Sequence, residues 1–183
     1  MTELADGVRV VLDFWFREIG PDRWWVRSAE TDAAITRRFR ALWEEWRDRP
    51  AGDFLRSADD ALAAVVLFDQ FPRNMFRGEA KAFSTDALAL ELAKAAIARG
   101  CDRAMDEAGR SFLYLPFMHS EVLADQDRCV ALFERLGWAD PLRFAHLHRD
   151  MIARHGRFPA RNAALGRLDR PGEDEAIEQS KSW

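Results

Sequence analysis

The sequence predicts an all-α fold of about seven or eight helices, arranged as a compact antiparallel bundle or as a solenoid. Apolar residues recur at helical spacing along almost the whole chain, and no segment alternates cleanly between apolar and polar residues as a strand does. The gaps between the periodic segments are short, as between antiparallel neighbours. With 183 residues, 48% of them apolar, the chain has the length of a single helical domain, residues 1–183.

Three helices are predicted in the N-terminal half of the chain, and each of the first two is followed by proline or glycine. Their apolar stripes cover residues 8–19, 35–46 and 57–70. A residue that precedes proline is disfavoured in the helical region of the backbone map. Because Phe71 precedes Pro72, we expect the third helix to stop or kink sharply just after Gln70.

Four more helices are predicted in the C-terminal half. They cover residues 87–99, 120–137, 140–155 and 171–179. We place the N-cap of the first at Ser84 and that of the second at Ser120, while Asp140 opens the third. The aromatic residues 112–117 lie between the first two of these helices and are not assigned to either.

The composition excludes several functional classes. The 27 basic and 31 acidic residues give a net charge of -4, which argues against nucleic acid as a partner. The longest apolar run, residues 61–68, is too short to cross a membrane. Cys101 and Cys129 are too few for a disulfide framework, so we expect both to be reduced. Since residues 1–6 lack the pattern of a secretory signal, we expect a cytoplasmic protein.

A first candidate site lies in residues 69–77. Asp69 continues the buried stripe of the preceding helix, and a carboxylate in the interior requires a partner, so we expect it to meet Arg73 or Arg161. The alternative is that Asp69 and Arg73 only close the end of the helix. Two further residues of this segment are candidate ligand contacts: Asn74 and Arg77.

A second candidate site lies in residues 114–126. His119 precedes a predicted helix N-terminus, where the helix dipole lowers the pKa of an imidazole and favours a neutral, catalytic histidine. The alternative is that the His119 ring is satisfied structurally and that Gln126 bonds a neighbouring loop. The candidate ligand contacts here are Tyr114, Ser120 and Gln126.

A third candidate site lies in residues 146–167. Four arginines and no acid occur between Arg154 and Arg167, a block that attracts an anion or an acidic helix. The alternative is that these arginines pair with Glu44 and Glu45 or with the acidic tail 173–175. The candidate ligand contacts are His148, His155, Arg157, Arg161 and Asn162.

Metal and cofactor sites find little support in the sequence. The three histidines His119, His148 and His155 are able to converge with Asp69, but their spacing is not that of a zinc site. The sequence contains no glycine-rich phosphate loop and no nucleophile elbow. We therefore expect no metal and no cofactor.

Three motifs resemble those of the bacterial domain-of-unknown-function family 924. They are residues 67–74 (LFDQFPRN), 112–121 (FLYLPFMHSE) and 156–159 (GRFP). The resemblance covers about residues 8–170 and implies a helical fold related to tetratricopeptide-repeat proteins, without an established reaction. The chain has Ala160 where a family histidine is expected and Val122 where an acid often follows, and its terminal Trp183 is similar to the aromatic ending of the family.

Three functions are compatible with these residues. The favoured one is a pocket for a small anionic molecule, which as an enzyme would use His119 as general acid/base with Asp69 orienting it, because Phe-Pro corners with His, Tyr, Gln and Arg resemble a pocket wall. The second is a helical-repeat module in which the arginines hold an acidic peptide. In the third, the motifs only lock helix junctions.

Overall fold

The structure, a computed structural model, describes residues 4–180. Trp183, which is similar to the aromatic ending of the family, lies outside the described residues. The all-α prediction is confirmed, since this part of the chain contains helices and turns and no strand. The α-helices are α1 (Leu4–Leu12), α2 (Ala29–Trp46), α3 (Ala58–Val65), α4 (Phe71–Met75), α5 (Asp86–Ala98), α6 (Glu107–Met118), α7 (Leu123–Leu136), α8 (Ala139–His155), α9 (Asn162–Leu165) and α10 (Asp174–Ser180).

Several helices begin or end at residues that satisfy the free backbone groups of their termini. Ser28 accepts a hydrogen bond from the backbone N–H of Thr31 at the start of α2, at 3.2 Å. Asp106 caps α6 in the same way. Gly137 ends α7 with φ of 78°, a left-handed conformation that glycine adopts without steric cost.

The core joins the N-terminal helices to α6 through aromatic contacts. Trp15 packs edge-on against Phe71 and Phe112, with ring centroids 5.6 and 5.5 Å away. Phe39 of α2 lies 4.7 Å from the ring of Phe71. From α5 to α8, each helix packs against the next one along the chain. None of the helices within residues 4–180 combines the length and hydropathy needed to cross a bilayer.

The expected break at Pro72 does not occur, because a π-helical turn, Val66–Gln70, joins α3 to α4. The backbone N–H of Phe71 bonds the carbonyl of Val66, five residues back. Pro72 has no N–H to offer the carbonyl of Phe68, and that carbonyl instead accepts the hydroxyl of Thr85 at 2.7 Å. The predicted stop was wrong because the extra residue of the π turn and the side chain of Thr85, the N-cap of α5, together accommodate the proline.

Two predicted N-caps also differ from the structure. The N-cap of α5 is Thr85, one residue after the predicted Ser84, and the side chain of Thr85 bonds Phe68 and not its own helix. The N-cap of α7 is Val122, two residues after Ser120. The aromatic residues 112–117 lie inside α6, with Pro116 near its C-terminus.

We predict that Thr85→Val destabilises the protein by about 1–3 kcal/mol, since it leaves two buried polar groups without a partner. Thr85 is 3% exposed and also accepts the indole N–H of Trp43 at 3.2 Å. Urea denaturation measures the change. Thr85→Ser keeps the hydroxyl and is the matched control, so equal denaturation midpoints for the two variants would show that the hydroxyl is not required.

Candidate functional site

The chemical centre of the site is a buried carboxylate–imidazole pair. Oδ1 of Asp69 lies 2.7 Å from Nδ1 of His119, and Oδ2 accepts the side-chain amide of Gln70. Asp69 is completely buried, as its place on the apolar stripe predicted, whereas the side chain of His119 is 16% exposed. Asp69 lies in the π turn, and His119 directly follows α6 as its C-cap. The predicted position of His119 just before a helix N-terminus was wrong, because α7 begins only after its N-cap Val122.

Electrostatics favour a neutral imidazole beside an ionised carboxylate. Burial, reinforced by the positive charge of Arg73, lowers the pKa of His119 below its ordinary value against the opposing effect of Asp69. Burial acts to raise the pKa of Asp69, but His119 and Arg73 outweigh it and hold that pKa below its usual range. With Nδ1–H donated to Asp69, Nε2 of His119 is left as the unprotonated nitrogen.

Two arginines stand beside this pair and share one carboxylate. Arg73 makes a two-pronged ion pair with Asp86, with Nη1–Oδ1 and Nη2–Oδ2 distances of 2.9 and 3.0 Å. Nη1 of Arg161 reaches Oδ2 of Asp86 at 3.2 Å. Arg73 is also 3.7 Å from Oδ1 of Asp69, so one of the two expected partners of that carboxylate is present.

The guanidinium of Arg161 lies over two aromatic rings. Its guanidinium carbon lies 4.7 Å from the ring centroid of Phe83 and 4.6 Å from that of Phe158, an arrangement stabilised by cation–π attraction. Nη2 donates to the backbone carbonyl of His119 at 2.9 Å. Burial and the like charge of Arg73 lower the pKa of Arg161 to about 10, so it stays charged at neutral pH.

His148 of α8 lies beside the His119 ring. The two ring centroids are 6.5 Å apart, and Nδ1 of His148 lies 2.8 Å from the carbonyl of Phe144. Burial, followed by the neighbouring His119, lowers the pKa of His148 to about 3. Both imidazoles are therefore neutral near pH 7.

The site cluster is accordingly Asp69, Arg73, Asp86, His119, His148 and Arg161. These six side chains come from the π turn, α4, α5, the end of α6, α8 and the 3-10 turn Pro159–Arg161. Two carboxylates face two guanidinium groups, and both histidines are neutral, so the cluster has a formal charge of zero. Parts of all three predicted candidate sites thus lie together.

Asn74 and Arg77 lie outside the site cluster. Both bind Asp32 in the first turn of α2: the Asn74 amide donates at 2.7 Å, and Arg77 donates through Nε and Nη2 at 3.0 and 2.8 Å. They therefore attach the end of α4 to the start of α2.

The other polar residues of the second candidate site also have structural partners. The Tyr114 hydroxyl donates to Asp102 at 3.0 Å. The Gln126 amide donates to the carbonyls of Met118 and Ser120, as in the structural alternative, and thereby holds the turn that follows His119. The Ser120 hydroxyl donates to Asp125 at 2.8 Å.

Arg157 and Asn162 bind the acidic tail, which was the structural alternative for this segment. Glu173 accepts Arg157 through both carboxylate oxygens, at 2.8 and 2.7 Å, and accepts Asn162 at 2.9 Å. Glu173 is 1% exposed. His155 is half-buried at the C-terminal end of α8, two helical turns after His148, and makes no hydrogen bond with the site cluster within residues 4–180.

Asp86 and Phe83 were not identified as site residues from the sequence. An acid in the first turn of a helix is expected for the helix dipole alone, so Asp86 at the start of α5 carried no separate signal. Glu121, part of the second motif, accepts Arg167 and the backbone N–H of Phe158, which fixes the 3-10 turn that carries Arg161. No group of three or more metal-binding side chains converges among the described residues.

The fold and the buried pair define a helical protein with a polar cluster in its interior. The sequence matches the family described as bacterial protein of unknown function (DUF924) over residues 11–181, and the chain belongs to that family. The chain is similar to the solved structure of a protein of unknown function from Agrobacterium tumefaciens, with 41% sequence identity and a TM-score of 0.90. The match covers 97% of this chain and 99% of the Agrobacterium chain. No curated protein matches the sequence.

We predict that acidification from pH 7 to pH 5 lowers the free energy of unfolding. The unfolded chain binds protons at histidine below about pH 6.5, whereas folded His148, with a pKa of about 3, does not. The contribution of His148 to the free energy of unfolding is therefore fully present above pH 6.5 and is lost progressively below it. At pH 5 the loss from His148 alone is about 2 kcal/mol. Urea denaturation of His148→Gln should show a shallower decline, whereas His146→Gln, at an exposed position, should retain most of it. Equal slopes for His148→Gln and wild type would contradict this assignment.

We also predict that Glu173→Gln loosens the C-terminal segment. The substitution leaves the Arg157 guanidinium without its carboxylate, so the thermal midpoint falls and amide exchange accelerates in residues 157–173. Hydrogen exchange with mass spectrometry locates the change. The exposed Glu175→Gln is the matched control, and equal exchange in the two variants would rule out this role for Glu173.

Proposed function

We propose that this protein binds a small anionic molecule beside the Asp69–His119 pair and that His119 acts on it as general acid/base, in the cytoplasm. The single observation that carries the proposal is the 2.7 Å contact between a fully buried carboxylate and Nδ1 of an imidazole that is itself partly exposed. A carboxylate in this position fixes the tautomer of the ring and leaves Nε2 as the nitrogen that exchanges a proton with the ligand.

Arg161 supports the anionic character of the ligand. A guanidinium carries five N–H groups, and Arg161 uses two of them in hydrogen bonds with Asp86 and His119 in the described part of the chain. Its side chain is 14% exposed, close to the value for His119.

The role of Asp69 in this proposal is to position His119. Removing the carboxylate lets the imidazole change tautomer, which places the proton on Nε2 and the lone pair on Nδ1. Arg73 and Asp86 hold the neighbouring charges in place. The remaining polar residues of the sequence motifs bind one another and stabilise the helix junctions on which the pair depends.

The partner-binding alternative requires arginines that are available to an acidic peptide. Arg73, Arg77, Arg157, Arg161 and Arg167 each have a carboxylate partner within the chain. A peptide would therefore have to displace existing ion pairs, and the small-molecule function is the better supported of the two.

The test is to identify a ligand and then to remove the imidazole. Mass spectrometry of the purified protein identifies any co-purified anion, and a panel of small carboxylates and phosphate monoesters is screened by thermal shift and then for turnover by NMR. We predict that His119→Gln lowers turnover of the best compound by about 10²–10⁴-fold while the protein remains folded, and that Asp69→Asn also lowers it.

His146→Gln is the matched control, since His146 lies on an exposed face of α8 and should retain wild-type turnover. A screen in which no anion binds, or a His119→Gln variant that binds and turns over at the wild-type rate, would refute the proposal.

A further inference from the structure

We propose that the site binds a small carboxylate together with one proton, which His119 holds on Nε2, so that its ligand class is a weak organic acid and not a phosphate dianion. This inference rests on the proposed function and specifies its ligand. The step forms one N–H bond at Nε2, with the proton supplied by the acid itself or by the solvent, and leaves the carboxylate beside Arg161.

The first argument is that the site cluster has a formal charge of zero. Asp69 and Asp86 balance Arg73 and Arg161, and the members of these pairs lie within 3.7 Å of one another. An added monoanion alone would leave one negative charge uncompensated among mostly buried side chains, which is strongly unfavourable. One proton taken up with the anion restores neutrality.

The second argument is that His119 is the group able to take that proton. The charged and titratable groups that face it from the elements packed around it are Asp69 and Arg73 from the π turn and α4, Asp86 from α5, His148 from α8 and Arg161 from the 3-10 turn. The arginines already carry their protons. Asp69 binds Nδ1 of His119, and an anion near Nε2 would place the ring between two negative charges, which favours the imidazolium form.

The third argument excludes a doubly charged ligand. A phosphate dianion would require two protons for the same balance. The second would have to go to His148, whose ring centroid lies 6.5 Å from that of His119, and two positive charges so close together repel each other. The guanidinium of Arg161, whose carbon lies 4.7 and 4.6 Å from the ring centroids of Phe83 and Phe158, is a planar group able to bind a carboxylate through parallel hydrogen bonds.

Calorimetry with acetate and with sulfate tests the proton directly. The heat of acetate binding to the full chain is measured at one pH in Tris and in imidazole buffer, whose ionisation enthalpies differ, and the difference gives the protons taken up. We expect about one proton per acetate, an affinity that falls about tenfold per pH unit between pH 6 and pH 8, and binding of sulfate that is weaker by about tenfold or more.

His119→Gln should abolish both the proton uptake and the pH dependence, and His146→Gln should retain them. Acetate binding without proton uptake by the wild-type protein would overturn this inference and leave the anion site of the proposed function standing. Sulfate that binds as tightly as acetate would overturn the choice of a weak acid. If neither anion binds, both the inference and the proposed function fail.

Discussion

The burial of one ionised carboxylate is the constraint on which the interior of this protein depends. Asp69 has no exposed surface, and a charge in such a place is tolerated only when surrounding groups compensate it. His119 and Gln70 donate to it, and Arg73 supplies a positive charge nearby. That requirement brings the end of α6 against the π turn and places an imidazole where solvent is almost excluded.

Compensation continues outward from this carboxylate in pairs. Asp86 balances Arg73 and Arg161, Glu121 balances Arg167, and Glu173 balances Arg157. Three of the four arginines between Arg154 and Arg167 are therefore paired with carboxylates of the chain, and most of the polar residues in the family motifs fix one helix against another. The chemical capacity that remains is concentrated at His119, whose Nε2 has no hydrogen-bonding partner among residues 4–180.

Periodicity was sufficient to predict the helical fold and the burial of Asp69, because both depend on which residues share a helix face. It was not sufficient to predict the path of the chain at Pro72, which is decided by the Thr85 hydroxyl from a distant part of the sequence. The pairing of Asp69 with Arg73 and of Arg157 with the acidic tail was among the expectations, but the central position of Asp86 could not be predicted. Asp86 lies 75 positions before Arg161, and no local pattern joins them.

The π turn also determines how the segment after it is oriented. One additional residue between α3 and α4 turns every later side chain of the rod by about 100° around the helix axis relative to an unbroken α-helix. Arg73 faces Asp86 in that rotated frame. The number of residues in the continuous segment from α3 to α4 therefore matters as well as their identity. Deletion of one residue from the π turn would rotate Arg73 away from Asp86.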